Sequence, residues 1–374
     1  MLKEKCNKER RCKERWIKLV LRASLFPRVQ KQIKYVIALG MEVYMSRKSN
    51  KLHVINRVIA LFAMLCIVTG LFGNQVSAAK VTTAKELQIG QYVTFGTYNK
   101  EPILWRVIDV DKEGNPLLYA ENILTYKAFD DQLWVANTAK NYGNNYWASS
   151  DLRAWLNGVG DEIAYDASGA PKSGTTKDGW NAYDEEQGFL TDFTKGEQEA
   201  IVLTKHKQLI DEVNSTASSI ENKDAKLHRY ESSIENCLTN YEEARYFITE
   251  EKVFLLDIKE FYSLVYQAGF SVIKEPTKSA EEKNEAKSKL AFSPYWLRTP
   301  RASYAEETAD PKYGGVSAKP DGASVRVVYG KDYILAKDAY DGSVGVIPAL
   351  YIDKAYVLSQ GNGTVNSPYH NPGN

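Results

Sequence analysis

The side chains with the most direct chemical potential in this sequence are its carboxylates. Asp109 with Asp111, Asp184 with Glu185 and Glu186, Glu306 with Glu307, and Asp338 with Asp341 each place acids close together in the chain. A hydrolase acting on glycosides needs two carboxyls roughly 5 to 10 Å apart across the scissile bond. The same groups in loops, together with backbone carbonyls, are the usual ligands of calcium. Soft-metal chemistry has far less to work with. After residue 79 the histidines are His206, His228 and His370, all in polar tracts or the tail, and no CxxC or HxxxH spacing occurs, whereas zinc and copper sites draw several such groups together. Neither a serine elbow nor a phosphate-cradling loop is present.

Aromatic and arginine side chains form the second set. In SPYWLRTPRASY, residues 293 to 304, a strand would turn Tyr295, Leu297 and Thr299 one way and Trp296 and Arg298 the other, with Pro300 ending it. Two roles fit. Trp296 can be core, with Arg298 bonded to nearby backbone carbonyls; or Arg298, Tyr304, Arg326 and Tyr329 can line a groove under long loops, since arginine and aromatic anchors carry interfaces and stack on sugars. Trp105 and Trp155 lie in apolar-patterned segments and are assigned to the core. Trp134, Trp147 and Trp180 lie among Asn, Gly, Ser and Asp, beside Tyr142, Tyr146 and Tyr183. They either pin their loops or offer a contact surface.

Several elements must position these groups. KELQIGQYVTFGTY leads through an Asn-Lys turn into EPILWRVIDV and PLLYA, read as strands, with Asp111 to Asn115 as a hairpin turn. Ser149, Ser150 or Asp151 caps a short helix over 151–157, stopped at Gly158. Residues 165–188 read as a long loop. Thr194 and Glu197 form a capping box for a helix over 195–203. The polar tract 205–250 reads as one or two inserted surface helices, and VFLLD as a buried strand followed by a short helix. Lys274 to Lys289 should be exposed. ASVRVVYG, YILAKD and GSVGVIPALYI are strands, and the end, GNGTVNSPYHNPGN, is a flexible tail.

The first 79 residues differ in character. Residues 58–79 carry no charge and follow a basic stretch, the order of a secretory signal; small residues at Val76 and Ala78, or Ser77 and Ala79, suit signal peptidase. The expectation is a signal or membrane anchor over 45–79, with membrane contact only through residues 58–72 if it stays uncleaved. Residues 1–44 form a basic extension, with Met41 or Met45 as alternative starts. Residues 1–79 hold 16 of the 48 Lys and Arg but 4 of the 47 Asp and Glu, which leaves 32 basic against 43 acidic residues, a net of −11. Nucleic acid is therefore disfavoured as a partner, because a phosphate backbone is held by cations. Cys237 is the one cysteine beyond residue 79, so stability there must come from a packed core and not from disulfides.

IGQYVTFGTY with EPILWRVIDV, SSDLRAWLNG, FTKGEQEAI, KVFLLD, YWLRTP and GSVGVIPAL occur in that order across residues 88–350. This series resembles a family of exported bacterial domains of unknown function. The resemblance implies an α+β, C-type-lectin-like or formylglycine-generating-enzyme-like fold: a twisted, mainly antiparallel sheet with two small packed helices and long loops. Members carry an arginine just before Pro-Ala-Leu, where this chain has Ile347. The enzyme branch looks like a cysteine- and copper-dependent oxidase, which a single Cys237 does not fit. The Glu-Pro-Asn or Gln-Pro-Asp run of sugar-binding C-type lectins is also missing, since Glu101-Pro102 is followed by Ile103.

The sequence thus predicts one domain over 85–355 with a helical insert at 205–250 and a flexible tail at 356–374. The expected role is non-catalytic binding of a glycan or an extracellular protein, secreted or at the cell surface. No cofactor is expected, with calcium the one ion its loops could take. A hydrolase using loop carboxylates, or a structural envelope component, are the alternatives.

Overall fold

The computed structural model describes residues 83–131, 143–165, 169–172, 183–210, 238, 243–283, 292–301 and 322–371. The leader and anchor assigned to residues 1–79, most of the tract 205–250, and Trp134, Trp180 and Tyr304 lie outside the described residues.

The chain from Ala78 onward forms one compact unit. Its first sheet has the order β1-β2-β3-β12-β7, built from Tyr92–Tyr98, Glu101–Val110, Pro116–Ala120, Ala349–Tyr351 and Val253–Phe254, every neighbouring pair antiparallel. The Asn-Lys turn is as expected, Asn99 and Lys100 both taking left-handed φ, the geometry a two-residue hairpin requires. The Asp111 side chain closes the next hairpin by accepting from the Asn115 N–H at 2.7 Å. A bulge between Val107 and Asp109 turns both Val107 and Ile108 inward.

A second sheet runs β10-β9-β8-β11-β4, from Ile334–Asp338, Ser324–Val328, Tyr295–Pro300, Gly345–Val346 and Thr125–Tyr126, antiparallel except for β8 with β11. The expected single twisted sheet is therefore two. The chain passes from one sheet to the other at β3 to β4, from β4 by way of β5 and β6 to β7, from β7 to β8, and from β11 through Ile347-Pro348 to β12. Proline cannot donate to a ladder, so the strand breaks there and resumes in the other sheet. The architecture is α+β with mainly antiparallel sheets and short helices, in keeping with the general form of lectin-like domains.

The helices are short and locally determined. Helix α1, Asp151–Leu156, is capped by Ser150, whose Oγ accepts from the Arg153 N–H. Helix α2, Lys195–Ala200, has the expected Thr194/Glu197 capping box. Helix α3, Ile258–Phe261, has a second one from Asp257 and Glu260, and α4 is Lys278–Lys283. Trp105, Trp147, Trp155 and Trp296 fill one continuous core with the inner sides of both sheets.

Three expectations are corrected. The ends of the 205–250 tract are strands: β5, Thr204–Leu209, pairs antiparallel with β6, Tyr246–Glu251. Lys274 is buried, its ammonium 3.3 Å from Glu121 and over the Tyr119 ring. The tail folds back, with Tyr369 buried and bridged to Val93.

Candidate functional site

SPYWLRTP holds the fold together. All six residues of β8 are buried. The Trp296 indole donates to Lys127 O at 2.8 Å and the Tyr295 hydroxyl to Val272 O at 2.8 Å. Arg298 is 1 % exposed. Its guanidinium donates to Glu260 Oε2 and Oε1 at 2.5 and 2.9 Å, to Leu255 O at 2.5 Å and to Gln208 Oε1 at 3.1 Å. Asp257 and Glu260 are the capping pair of α3, so Arg298 locks a helix start onto the second sheet. Burial would raise the Glu260 carboxyl, but the Arg298 charge prevails and holds it well below the usual range. Asp257 is pushed up instead, by burial and then by Glu260.

The groove expected from Arg298, Tyr304, Arg326 and Tyr329 is corrected accordingly. Arg326, on β9, is 2 % exposed, and Tyr329 is half-buried with its ring edge-on to Phe292 at 5.1 Å. Two buried guanidiniums cannot line an open surface. Trp147 is corrected as well: it is 0 % exposed, and its indole N–H donates to Glu251 Oε1 at 3.0 Å. Its polar neighbours in sequence, Asn144 and Asn145, are themselves buried, and Asn145 Nδ2 donates to Ser324 O at 3.1 Å.

Asp111, Asp341 and Glu186, one member of each of three pairs seen in the sequence, have local duties. Asp111 closes a hairpin, and Asp341 accepts from Lys337 Nζ at 3.2 Å and from the Ser343 N–H at 3.0 Å. Glu186 lies 3.2 Å from the Lys127 ammonium, and Glu306 and Glu307 lie outside the described residues. Thr204 Oγ1, His206 Nε2 and Glu260 fall in line like a nucleophile, base and carboxylate, at 2.7 Å and then 3.9 Å. The second distance is too long for a hydrogen bond, and Arg298 already holds both oxygens of Glu260. A recess of about 50 Å³ beside Glu101, Leu104, Asn122 and Thr277 contains one carboxylate and no acid/base pair.

A cluster that sequence reasoning missed is more informative. Asp130, Asp131 and Asp151 bring one carboxylate oxygen each within 4.8 Å of one another, and they are 2 %, 9 % and 2 % exposed. Because Ser150 caps α1, Asp151 is released from that role, and its Oδ2 accepts from the Asp131 N–H at 3.0 Å. Burial, then the charges of Asp130 and Asp131, push the Asp151 carboxyl up to about 10. Aromatic walls stand beside it. Burial and then Asp151 raise the phenol of Tyr165, whose hydroxyl is shut off from solvent with no hydrogen-bond partner among the described residues. Tyr183 donates to Ala128 O and packs edge-on to Tyr165 at 5.9 Å. The buried Lys127 ammonium sits over the Tyr183 and Trp155 rings at 4.2 and 4.7 Å.

Gly143 packs against the Asp130 backbone. It takes φ +80, and a Cβ there would lie 2.1 Å from Asp130 O, so only glycine permits this approach. The described chain thus stops at Asp131 and resumes at Gly143, close to the Asp130 backbone. Three converging carboxylates of this kind could coordinate a divalent ion such as calcium. The signal in the sequence was the Asp-Asp pair after KAF, with a third aspartate in the SSDLRAWL cap.

Two mainly antiparallel sheets sharing strand-switching corners, short capped helices and one buried triple-carboxylate cluster define an α+β domain with a cation-competent site. The chain belongs to the family described as a domain of unknown function (DUF6273), whose profile matches residues 113–354, both halves of the acidic cluster included. No curated protein and no solved structure matches it.

Proposed function

We propose that this is an exported, non-catalytic binding domain of C-type-lectin-like type, in which Asp130, Asp131 and Asp151 hold a calcium ion beside the point where residues 132–142 depart from the described chain. The observation that carries the reading is the convergence of three buried carboxylates where the described chain stops at Asp131. Like charges in low dielectric repel strongly unless a proton or a cation compensates them. Burial first, and then the charges of Asp130 and Asp131, raise the Asp151 carboxyl in this setting. The Tyr165 hydroxyl supplies a buried oxygen with unused capacity beside it, as a site for a hydrated cation would need.

Residues 132–142 include Trp134 and Tyr142, aromatic groups suited to stacking on a sugar ring or filling a protein pocket. Trp180 and Tyr304 are further aromatic candidates named by the sequence. The partner is a glycan or an extracellular protein, and the place of action is at or outside the cell surface, reached through the apolar stretch at 58–79.

The test is a glycan-array measurement on the exported chain with and without calcium, beside Trp134→Ala and Asp151→Asn variants. Saturable binding that needs calcium and is lost in both variants supports the reading. Binding indifferent to calcium and to both substitutions overturns it. Turnover of a glycan by the wild-type chain would favour the hydrolase.

A further inference from the structure

The end strand of the first sheet is covered by the chain's own last segment. β1 has β2 on one side. On the other, the Tyr92 N–H donates to Gly363 O at 2.9 Å, the Thr94 N–H to Tyr369 O at 2.8 Å, and the Tyr369 N–H to Tyr92 O at 2.9 Å, with Val93 and Tyr369 bridged in parallel. The segment is shaped for this. Gln360 pairs with His370 and Thr364 with Ser367, so residues 360–370 form their own narrow loop. Gly363 takes φ +75, where a Cβ would meet the Tyr369 ring at 2.5 Å, and at Gly361 it would lie 2.0 Å from Pro368 O. Tyr369 is the buried plug. Both β1 and this segment lie outside residues 113–354, the part that matches the family profile.

We propose that the outer edge of β1 is a strand-acceptor site whose ligand is residues 360–371, and that copies of this chain exchange that segment to form swapped dimers. Main-chain hydrogen bonds do not register which copy supplies the strand, so a second copy offers an identical fit. An edge stripped of its cover presents unpaired N–H and C=O groups, which is the strongest template for such pairing. What must be released is small: three backbone bonds to β1, the Asn371 Nδ2 bond to Val357 O at 3.2 Å and one aromatic side chain, beyond a pivot at Ser359 and Gln360 that follows the buried Leu358. Val365, in the loop tip, is half exposed, so little of the segment besides Tyr369 is anchored by apolar burial. The inference does not depend on the cation or on the glycan.

The experiment mixes two differently tagged full-length chains at high concentration, warms them below the unfolding transition, and then captures one tag. Mixed dimers are expected, suppressed by excess synthetic peptide of residues 360–371 and absent for full-length Tyr369→Pro, which loses both the donor and the ring. Amide exchange at Tyr92 and Thr94 of the full chain reads the release directly and should run roughly tenfold or more faster than at Trp105 and Leu118 on interior strands. Mixed dimers that persist in Tyr369→Pro or ignore the peptide overturn the proposal by placing the contact elsewhere. So does a chain that never mixes, or one whose Tyr92 and Thr94 amides are as protected as the interior.

Discussion

The carboxylate of Asp151, at the first turn of α1, accepts the backbone N–H of Asp131 at 3.0 Å. A helix start and the backbone at Asp131 are fastened through an acid that burial and its neighbours disfavour as an anion. Adding calcium to the metal-free chain at neutral pH should therefore raise its melting temperature, by about 2.7 kcal/mol of stability once calcium reaches one hundred times its dissociation constant. Asp151→Asn should abolish this response in a thermal-shift titration while leaving the metal-free chain at least as stable. An unchanged calcium response in that variant counts against the cluster as the site.

Gly143 allows no side chain. With left-handed φ and a Cβ placed 2.1 Å from Asp130 O, Gly143→Ala should lower stability by about 2 kcal/mol or more, on the scale of strained backbone positions. It should also weaken calcium binding, measured by calorimetry, because the Asp130 backbone must move.

Arg298 is buried with its fork on Glu260. Removing one partner of a buried pair leaves an uncompensated charge, so Arg298→Met should cost about 3 to 5 kcal/mol in chemical denaturation. Arg298→Lys should recover little of it, since an ammonium cannot reproduce the planar fork.

Acid should expose the same pair. Glu260 is held below its ordinary range in the folded chain despite burial, so its contribution is present above the unfolded-state value, about 4.3, and is lost as pH falls below it. Asp257, raised by burial and by Glu260, moves in the opposite sense and softens the slope. Stability measured from pH 6 down to pH 3 should decline less steeply in Glu260→Gln than in the wild type.

Trp147 separates packing from recognition. Trp147→Phe removes the donor to Glu251 and should cost about 1 to 3 kcal/mol, with no change in ligand affinity measured at temperatures where the variant is folded.

The fold was legible wherever burial and hydropathy ran together. The alternation in β1 and β2, the Asn-Lys turn, the apolar β3 and the Thr194/Glu197 box each carry their signal within a few residues. The hairpin of β5 and β6 was hidden because its inward side chains are His206, Gln208, Thr249 and Glu251, so strand alternation is written in polar residues and mimics a surface helix. Lys274 and the Trp147 loop misled for the same reason, since a buried ion pair and buried asparagines look like solvent-facing chain. The acidic cluster was missed because Asp151 reads as one more helix cap, and its partners lie 20 positions away in a strand exit. They meet only in three dimensions, through the Asp131 N–H that Asp151 accepts.

The hairpin of β5 and β6 is shut at its far end by the Ile210 N–H, which donates to Arg245 O at 2.9 Å. Two chain ends are thus presented side by side on an arm whose outward residues, Lys205, Lys207, Ile248 and Glu250, are exposed. Chain spliced between those ends is topologically a cassette: its length can change without rethreading either sheet, provided Leu238 keeps its packing on the core. For an engineer it is the natural insertion point for a reporter, and for evolution a place to add new sequence while the core stays constant.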